Sequence, residues 1–152
     1  MFELFRAAKS GIVPLPPPGR ASLIHVEDLA RLLVALAEAR PEFSGMTLEP
    51  DDGRTGGYAH KELAQLIARA IGRRRVFAPH LPKAVLMAAA RADRLVRGRK
   101  AKLTPDRAGY MAHPDWVCDP VKAPPPALWM PRIAGAEGMA ATAAWYREQG
   151  WL

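Results

Sequence analysis

Apolar residues recur at three- and four-residue steps through much of the chain and form short continuous runs elsewhere, a pattern that predicts helices joined by brief strands. The clearest passage is Arg20 to Glu38, RASLIHVEDLARLLVALAE. Ser22, Leu23, Ile24, His25 and Val26 make a short run suited to a strand covered on both faces. The spacing then turns helical. Val26, Leu29, Ala30, Leu33, Leu36 and Ala37 share one stripe while Arg31, Glu38 and Arg40 lie off it, which predicts that the stripe is core. Glu27 and Asp28 fall in the first turn, where unpaired N–H groups and the positive dipole end favour acids by about 0.3–1 kcal/mol each. A strand running straight into a helix is an α/β signature.

The same reading extends along the chain. Phe2, Leu4, Phe5 and Ala8 suit a short helix ended by Lys9, Ser10 and Gly11, and Met1 leaves no room for a strand before it. Val13 to Gly19, VPLPPPG, is an extended, stiff connector, because proline neither continues a helix nor donates to a ladder. Pro41 to Gly45 reads as a turn, Met46 to Glu49 as a second strand, and Asp51 to Gly57 as a polar, flexible loop. That loop is not GxGxxG and lacks GK[ST], so it is a turn and no phosphate site. Leu63, Leu66, Ile67, Ala70 and Ile71 mark a helix from Ala59 to Ile71, closed by Gly72. Arg75 to Ala78 is a third candidate strand. Leu81, Val85, Ala88, Ala92 and Leu95 then line the core side of a helix whose other side carries Lys83, Arg91 and Arg94. Thr104-Pro105-Asp106 starts a short helix reaching about Met111 or Ala112, with a capping hydroxyl before proline. Trp116 to Cys118 is a last strand, and Ala136 to Gln149 a terminal helix turning Met139, Thr142, Ala143 and Tyr146 inward.

Composition narrows the class. A chain of 152 residues with 49% hydrophobic content supports one globular domain. No apolar run is long enough to span a bilayer and no signal peptide is visible, so the expectation is a soluble, cytoplasmic protein. The single cysteine, Cys118, makes no internal disulfide. Neither H-E-x-x-H, C-x-x-C nor G-x-S-x-G occurs, which leaves zinc and serine-hydrolase chemistry unsupported. The net charge of +7 is concentrated: Arg54 to Arg107 holds fourteen Lys and Arg against Glu62, Asp93 and Asp106. Such a segment is a solvated face, a phosphorylated-substrate pocket, or a surface for nucleic acid or anionic lipid. Nucleic acid and anionic membrane are not expected partners. No aromatic residues interleave with the basic ones, and the apolar side of the Val85/Leu95 helix is required internally.

Arg20 to Glu38 resembles the IHVDDLA segment of the extended short-chain dehydrogenase/reductases, the NAD(P)-dependent epimerase/dehydratase family. Leu103 to Asp119, LTPDRAGYMAHPDWVCD, is similar to a later landmark of that family. So are Leu128, Trp129 and Pro131, set against its LGW.P element, and Ala134 to Leu152, ending WYREQGWL. The order is the family's, and the likeness covers nearly the whole chain but only the back half of a member. It implies an α/β fold: the C-terminal part of a Rossmann-like doubly wound fold plus a small α/β substrate-binding subdomain, lacking the N-terminal dinucleotide-binding half. Residues 1–45 would be the remnant of the Rossmann-like core and 46–152 a mostly helical substrate-binding subdomain.

The function so implied is that of the substrate-binding C-terminal portion of an NAD(P)-dependent epimerase/dehydratase-like oxidoreductase, inactive alone. The alternative is a non-catalytic binding or assembly module derived from that family. Full-length relatives use NAD(P) through a Gly-rich loop and a Tyr-x-x-x-Lys pair. Neither is here: four residues after Tyr58, Tyr110 and Tyr146 stand Glu62, Pro114 and Gly150. No catalytic, cofactor-binding or metal residue is therefore assigned, and NAD(P) is not expected to bind this chain alone. By matched position the substrate-binding candidates are Pro14, Arg20, His25, Tyr110 and His113. His25 is alternatively a hydrogen-bonded core histidine, and Asp28 a helix-start anion and no acid catalyst. Two positions depart from the family. Ala59 replaces a capping Ser or Thr, and His113 stands where sugar-nucleotide members carry arginine, which argues against a UDP-sugar. The partners implied are a small-molecule substrate in the parent enzyme, and an N-terminal half or a second copy.

Overall fold

Phe5, Val13, Ile67 and Ala143 are closed to solvent although they come from segments spread over most of the chain. The computed structural model that shows this describes residues 1–38 and 43–152, and of Arg99 the backbone alone. Arg40, and Pro41 and Glu42 of the turn expected at Pro41 to Gly45, lie outside the described residues. Helix α1 (Phe2–Ser10) ends at Gly11, whose φ of 93° suits a residue without a Cβ. It packs on α3 (His60–Ala70), which packs in turn on α6 (Gly135–Glu148). Phe5, Val13, Leu15, Ile67, Met139 and Tyr146 belong to the one core these elements share, so that core draws on both sides of residue 45. Phe2 and Phe5 present ring edges to Tyr146 at 5.2 and 5.3 Å.

Three two-residue strands form a mixed sheet in the order β2-β1-β3. The central strand β1 (Arg20–Ala21) runs antiparallel to β2 (Tyr58–Ala59) and parallel to β3 (Asp115–Trp116). About half of the chain is helical, so the fold is mixed α/β. The strand expected at Ser22–Val26 is displaced toward Arg20. Ser22 N–H still reaches Trp116 O at 2.9 Å and Leu23 O accepts from Asp52, but neither neighbour extends further. Met46 to Glu49 forms no strand. Glu49 is held instead by Lys122, both through its own N–H and through its carboxylate. Arg75 to Ala78 pairs only at Phe77, which bridges Ile12, while His80 bridges Leu15.

Those two bridges give the proline segment more structure than a connector has. Val13 and Leu15 donate to Phe77 O and Pro79 O at 2.9 Å, and their side chains are buried, while Pro14 between them faces solvent. The prolines thus occupy positions from which this ladder needs no N–H. Their carbonyls are used: Pro16 O and Pro17 O lie 2.7 and 3.1 Å from the Nδ1 atoms of His80 and His60.

Two helices turn a different face inward from the one their stripes predict. In α2 (Val26–Glu38) the buried residues are Asp28 and Leu32, whereas Val26, Leu33 and Val34 are exposed. In α4 (Lys83–Arg97) the buried residues are Leu86 and Ala90, which pack on Ala108 of α5 (Pro105–Met111). Val85, Ala88, Ala92 and Leu95, expected in the core, face solvent. The reason is the partner. The short helix α5 offers only Ala108 and its surroundings, and small residues admit the close approach that Leu86 and Ala90 make. Thr104 caps α5 as expected, accepting from Arg107 N–H, and Ala59 leaves α3 without a side-chain cap.

Gly19 lies where the proline segment passes beneath β3. A Cβ there would stand 2.7 Å from Pro114 O and 2.8 Å from the His60 ring. Gly19→Ala is expected to cost about 1–3 kcal/mol through overpacking against backbone. By contrast Gly109→Ala, in a helix with open space around it, is expected to stabilise by about 0.5–1 kcal/mol. Urea unfolding midpoints of the two variants against the parent chain check both signs.

Candidate functional site

Two carboxylates assemble the region around the candidate residues. Asp28 has no solvent exposure, and its Oδ2 accepts the N–H groups of Arg132 and Ile133, both at 2.9 Å. Arg31, one helical turn on, closes the other oxygen. Burial pushes the Asp28 carboxyl up, but the Arg31 hydrogen bond and the two backbone donors outweigh it and hold the group below the usual carboxylate range. Asp28 is therefore a tertiary clamp as well as the first-turn anion its place at the start of α2 suggested. Asp52 does the same for α6: its Oδ2 accepts Gly135 N–H at 2.9 Å and the Tyr58 hydroxyl at 2.5 Å. The Asp51–Gly57 loop, expected to be a free turn, is an anchor. Asp51 accepts from Ser22 Oγ at 2.8 Å, and Asp52 N–H donates to Leu23 O at 2.7 Å.

The candidate residues fall into three places. Tyr110 and His113 come together around Trp116, with ring centroids at 4.1 and 4.9 Å. Trp116 Nε1–H donates to Tyr110 O, and His113 Nδ1 accepts Asp115 N–H, both at 3.2 Å. Neutral His113 so held carries its proton on Nε2. Arg20 pairs in register with Asp115 of the same ladder, and its guanidinium lies over Gly56. His25 sits at the entry to α2 against Gly138 of α6. Pro14 is exposed on the outer side of the proline segment and joins neither group.

His25 separates two hollows. One, of about 250 Å³, is lined by Leu23, Ile24, Ile133, Met139 and Thr142 as well as the histidine. The other, of about 410 Å³, adds Trp145 and Tyr146. Nδ1 of His25 accepts Glu27 N–H at 3.4 Å, a long contact, and leaves Nε2 as the ring's donor. A wider groove of about 740 Å³ runs between α2 and the 126–132 segment, past Ala30, Val34, Met130 and Arg132. Trp129 forms its floor beneath Arg31, with its buried Nε1 unpaired.

Chemically the region offers shape, aromatic faces and imidazole donors. Burial and the Asp52 hydrogen bond raise the Tyr58 pKa, so its phenol stays protonated and spends its hydrogen on Asp52. Burial likewise pushes the Cys118 thiol up, away from a reactive thiolate. Among the described residues no group of three or more His, Cys, Asp or Glu is placed to hold a metal, and no helix is long and apolar enough to cross a membrane. Sequence reading missed His60, His80, Asp52 and Tyr58. The histidines answer proline carbonyls, which carry no sequence signal, and the Asp52–Tyr58 contact is an ordinary six-residue spacing in a loop.

No family model matches the sequence. The chain is similar to ceramide reductase of Caulobacter vibrioides (strain NA1000 / CB15N), with 30% identity over 155 residues. The match takes in 100% of this chain and 47% of that protein, so the chain spans about half the length of the curated relative it matches.

The folded Asp28 pKa lies below its unfolded value of about 3.9. Its contribution is therefore present above that unfolded value and lost as pH falls through the depressed folded one. Asp28→Ala is expected to cost about 2–3 kcal/mol at neutral pH, since it leaves two part-buried N–H donors and Arg31 without their acceptor. Asp28→Asn should cost less and flatten the acid limb. Urea unfolding between neutral and acid pH measures both.

Proposed function

We propose that this chain is the substrate-binding C-terminal portion of an NAD(P)-dependent reductase of the epimerase/dehydratase-like kind, acting on a long-chain lipid of the ceramide type. One observation carries the reading: α2, which buries Asp28 and Leu32, also leaves Val26 and Leu33 exposed and Val34 lining an open 740 Å³ groove. A helix apolar on two sides is built for a second layer. The likeness of the whole chain to half of a ceramide reductase, and the ordered landmarks of its sequence, supply the kind of layer expected. The hollows beside His25, lined by Leu23, Ile24, Ile133 and Met139, suit an acyl chain with a polar group near His25 Nε2.

The described residues do not themselves fit a dinucleotide. Gly56 and Gly57, the flexible pair of the polar loop, are backed by the Arg20 guanidinium and by Ala21 O, which would lie 2.1 and 2.7 Å from a Cβ at those sites. Neither glycine then offers an open cradle for a pyrophosphate, and the first turn of α2 carries the exposed Glu27, which repels one. The cofactor is accordingly assigned to the other half, and no hydride step is derived from this chain.

The test is a chimera in which this chain replaces the matched 47% of the Caulobacter protein. The chain alone is expected to give no heat with NADH or NADPH in isothermal titration. The chimera is expected to bind cofactor and consume it with a ceramide-type ketone. Val26→Asp with Leu33→Asp should abolish the chimera's activity while leaving the unfolding curve of the isolated chain unchanged. Micromolar cofactor binding by the chain alone, or a folded, cofactor-bound chimera inert toward such ketones, would overturn the proposal.

A further inference from the structure

The satellite formed by α4 and α5 is complete without the outer side of α4. Leu86 and Ala90 fill the contact with Ala108, and Met87, Leu103 and Ala112 close around it. Asp93 fastens the end of the helix to the following turn, accepting Lys102 and Leu103 N–H at 2.8 and 2.9 Å and pairing with Arg97 at 3.2 Å. Nothing in this arrangement uses Val85, Leu95 or Val96, which are 50%, 86% and 83% exposed. At the helical repeat these three and Ala88 and Ala92 share an arc of about 100°, the width of an apolar face. Arg91 borders that arc, next to Ala88 and Leu95, whereas Arg94 and Lys83 project from the far side of the helix and Lys100 follows its end.

We propose that this outer face of α4 docks on an anionic membrane surface, the apolar arc entering the headgroup region while Arg91 at its border and the surrounding positive charge of the segment meet lipid phosphates. The choice of occupant rests on charge. From Lys83 to Lys102 there are seven Lys and Arg against the single acid Asp93, which is already engaged. Among the described residues Lys83, Arg91, Arg94 and Lys100 form no ion pair, so their charges are open to an external anion. The other exposed apolar face, on α2, differs in this respect: Glu27 and Glu38 stand at its two ends, and it suits a protein layer. The Arg91 stem, beside Leu95 and Ala88, can keep its guanidinium at phosphate level while the helix sinks by its apolar arc, and the long Lys83 and Arg94 side chains add to the positive field around it. The objection raised by sequence alone, that this side of the helix is needed internally, falls with the exposure of Leu95 and Val96. Nucleic acid is the poorer match, since large aliphatic side chains, and no aromatic ring, occupy the centre of the face. The proposal does not depend on the reductase reading.

The test is co-sedimentation of the full chain with phosphatidylcholine vesicles, with and without phosphatidylglycerol, at low and physiological salt. Binding is expected only with the anionic lipid, weakened but retained at physiological salt because apolar burial adds to the charge. Leu95→Asp with Val96→Asp, and separately Arg91→Glu with Arg94→Glu, should each weaken it about tenfold or more. Both pairs are exposed, so unfolding curves should not move. Val26→Asp with Leu33→Asp should leave vesicle binding intact, which separates this proposal from the one for α2. Absence of sedimentation at low salt would overturn it. So would undiminished binding by the Leu95/Val96 variant, preference for single-stranded DNA that the variant keeps, or a dimer in light scattering that the variant dissolves without any vesicle binding.

Discussion

A carboxylate without access to water must find its hydrogen-bond donors inside the protein, and Asp28 finds two of them more than a hundred residues further along the chain. That requirement fixes where the 130–133 segment crosses α2. Two residues later Asp52 takes Gly135 N–H, so the start of α6 is set by a second acid in a different loop. Close approach is part of the same constraint: a Cβ at Gly135 would meet the Tyr58 hydroxyl at 2.5 Å, and one at Gly138 the His25 ring at 3.0 Å. With α6 so placed, Met139, Ala143 and Tyr146 reach α3 and α1, and the core closes. The smaller hollow beside His25 is what remains between Ile133 and α6, and the larger one lies between the start of α2 and α6. Their shape follows from the two acids without either acid lining the larger hollow.

What could be read from the sequence was mostly local. Gly11, Thr104 and the stripes of α3 and α6 mark helices through signals contained within a turn or two, and those elements stand within a residue or so of where they were expected. The reading failed where the outcome depends on what a helix meets. The stripes of α2 and α4 announce an apolar face, but each helix has a second one, and only the partner decides between them. In α2 the deciding residue is polar, because Asp28 points inward and carries Leu32 with it. In α4 it is alanine, because Ala90 permits the approach of α5. The strand expected at Ser22–Val26 met the same difficulty: a continuous apolar run says buried, while the length of a strand is set by neighbours that here end after two residues. Of the candidate site residues, the Tyr110 and His113 pair was legible as one short segment. Their gathering around Trp116 is also local, closed by the bond from Trp116 Nε1 to Tyr110 O, whereas the register of Arg20 beside Asp115 depends on a parallel pairing across more than ninety residues.

The two uncovered helix faces make different demands on their surroundings. The α2 face continues from the clamp into a groove with Trp129 at its floor, so anything filling it would press on the same 130–133 segment that Asp28 holds. Occupation there can be felt at α6 through contacts already present. The α4 face belongs to a separate small core tied to the rest by contacts such as Lys102 to Glu3, an exposed ion pair of little strength. Events on α4 therefore have a weak route to the His25 hollows, and events on α2 a short one.

The proline segment carries a consequence of another kind. In an extended chain successive N–H groups point to opposite edges, and Val13 and Leu15 spend theirs on Phe77 O and Pro79 O. The alternate positions, whose N–H groups would face the far edge, are Pro14 and Pro16. That edge can accept hydrogen bonds but offers no donors across these residues, so an incoming strand from another molecule would find half its ladder missing. A chain that leaves large apolar faces open on two helices thereby keeps its most strand-like surface sterile toward cross-molecular sheet growth.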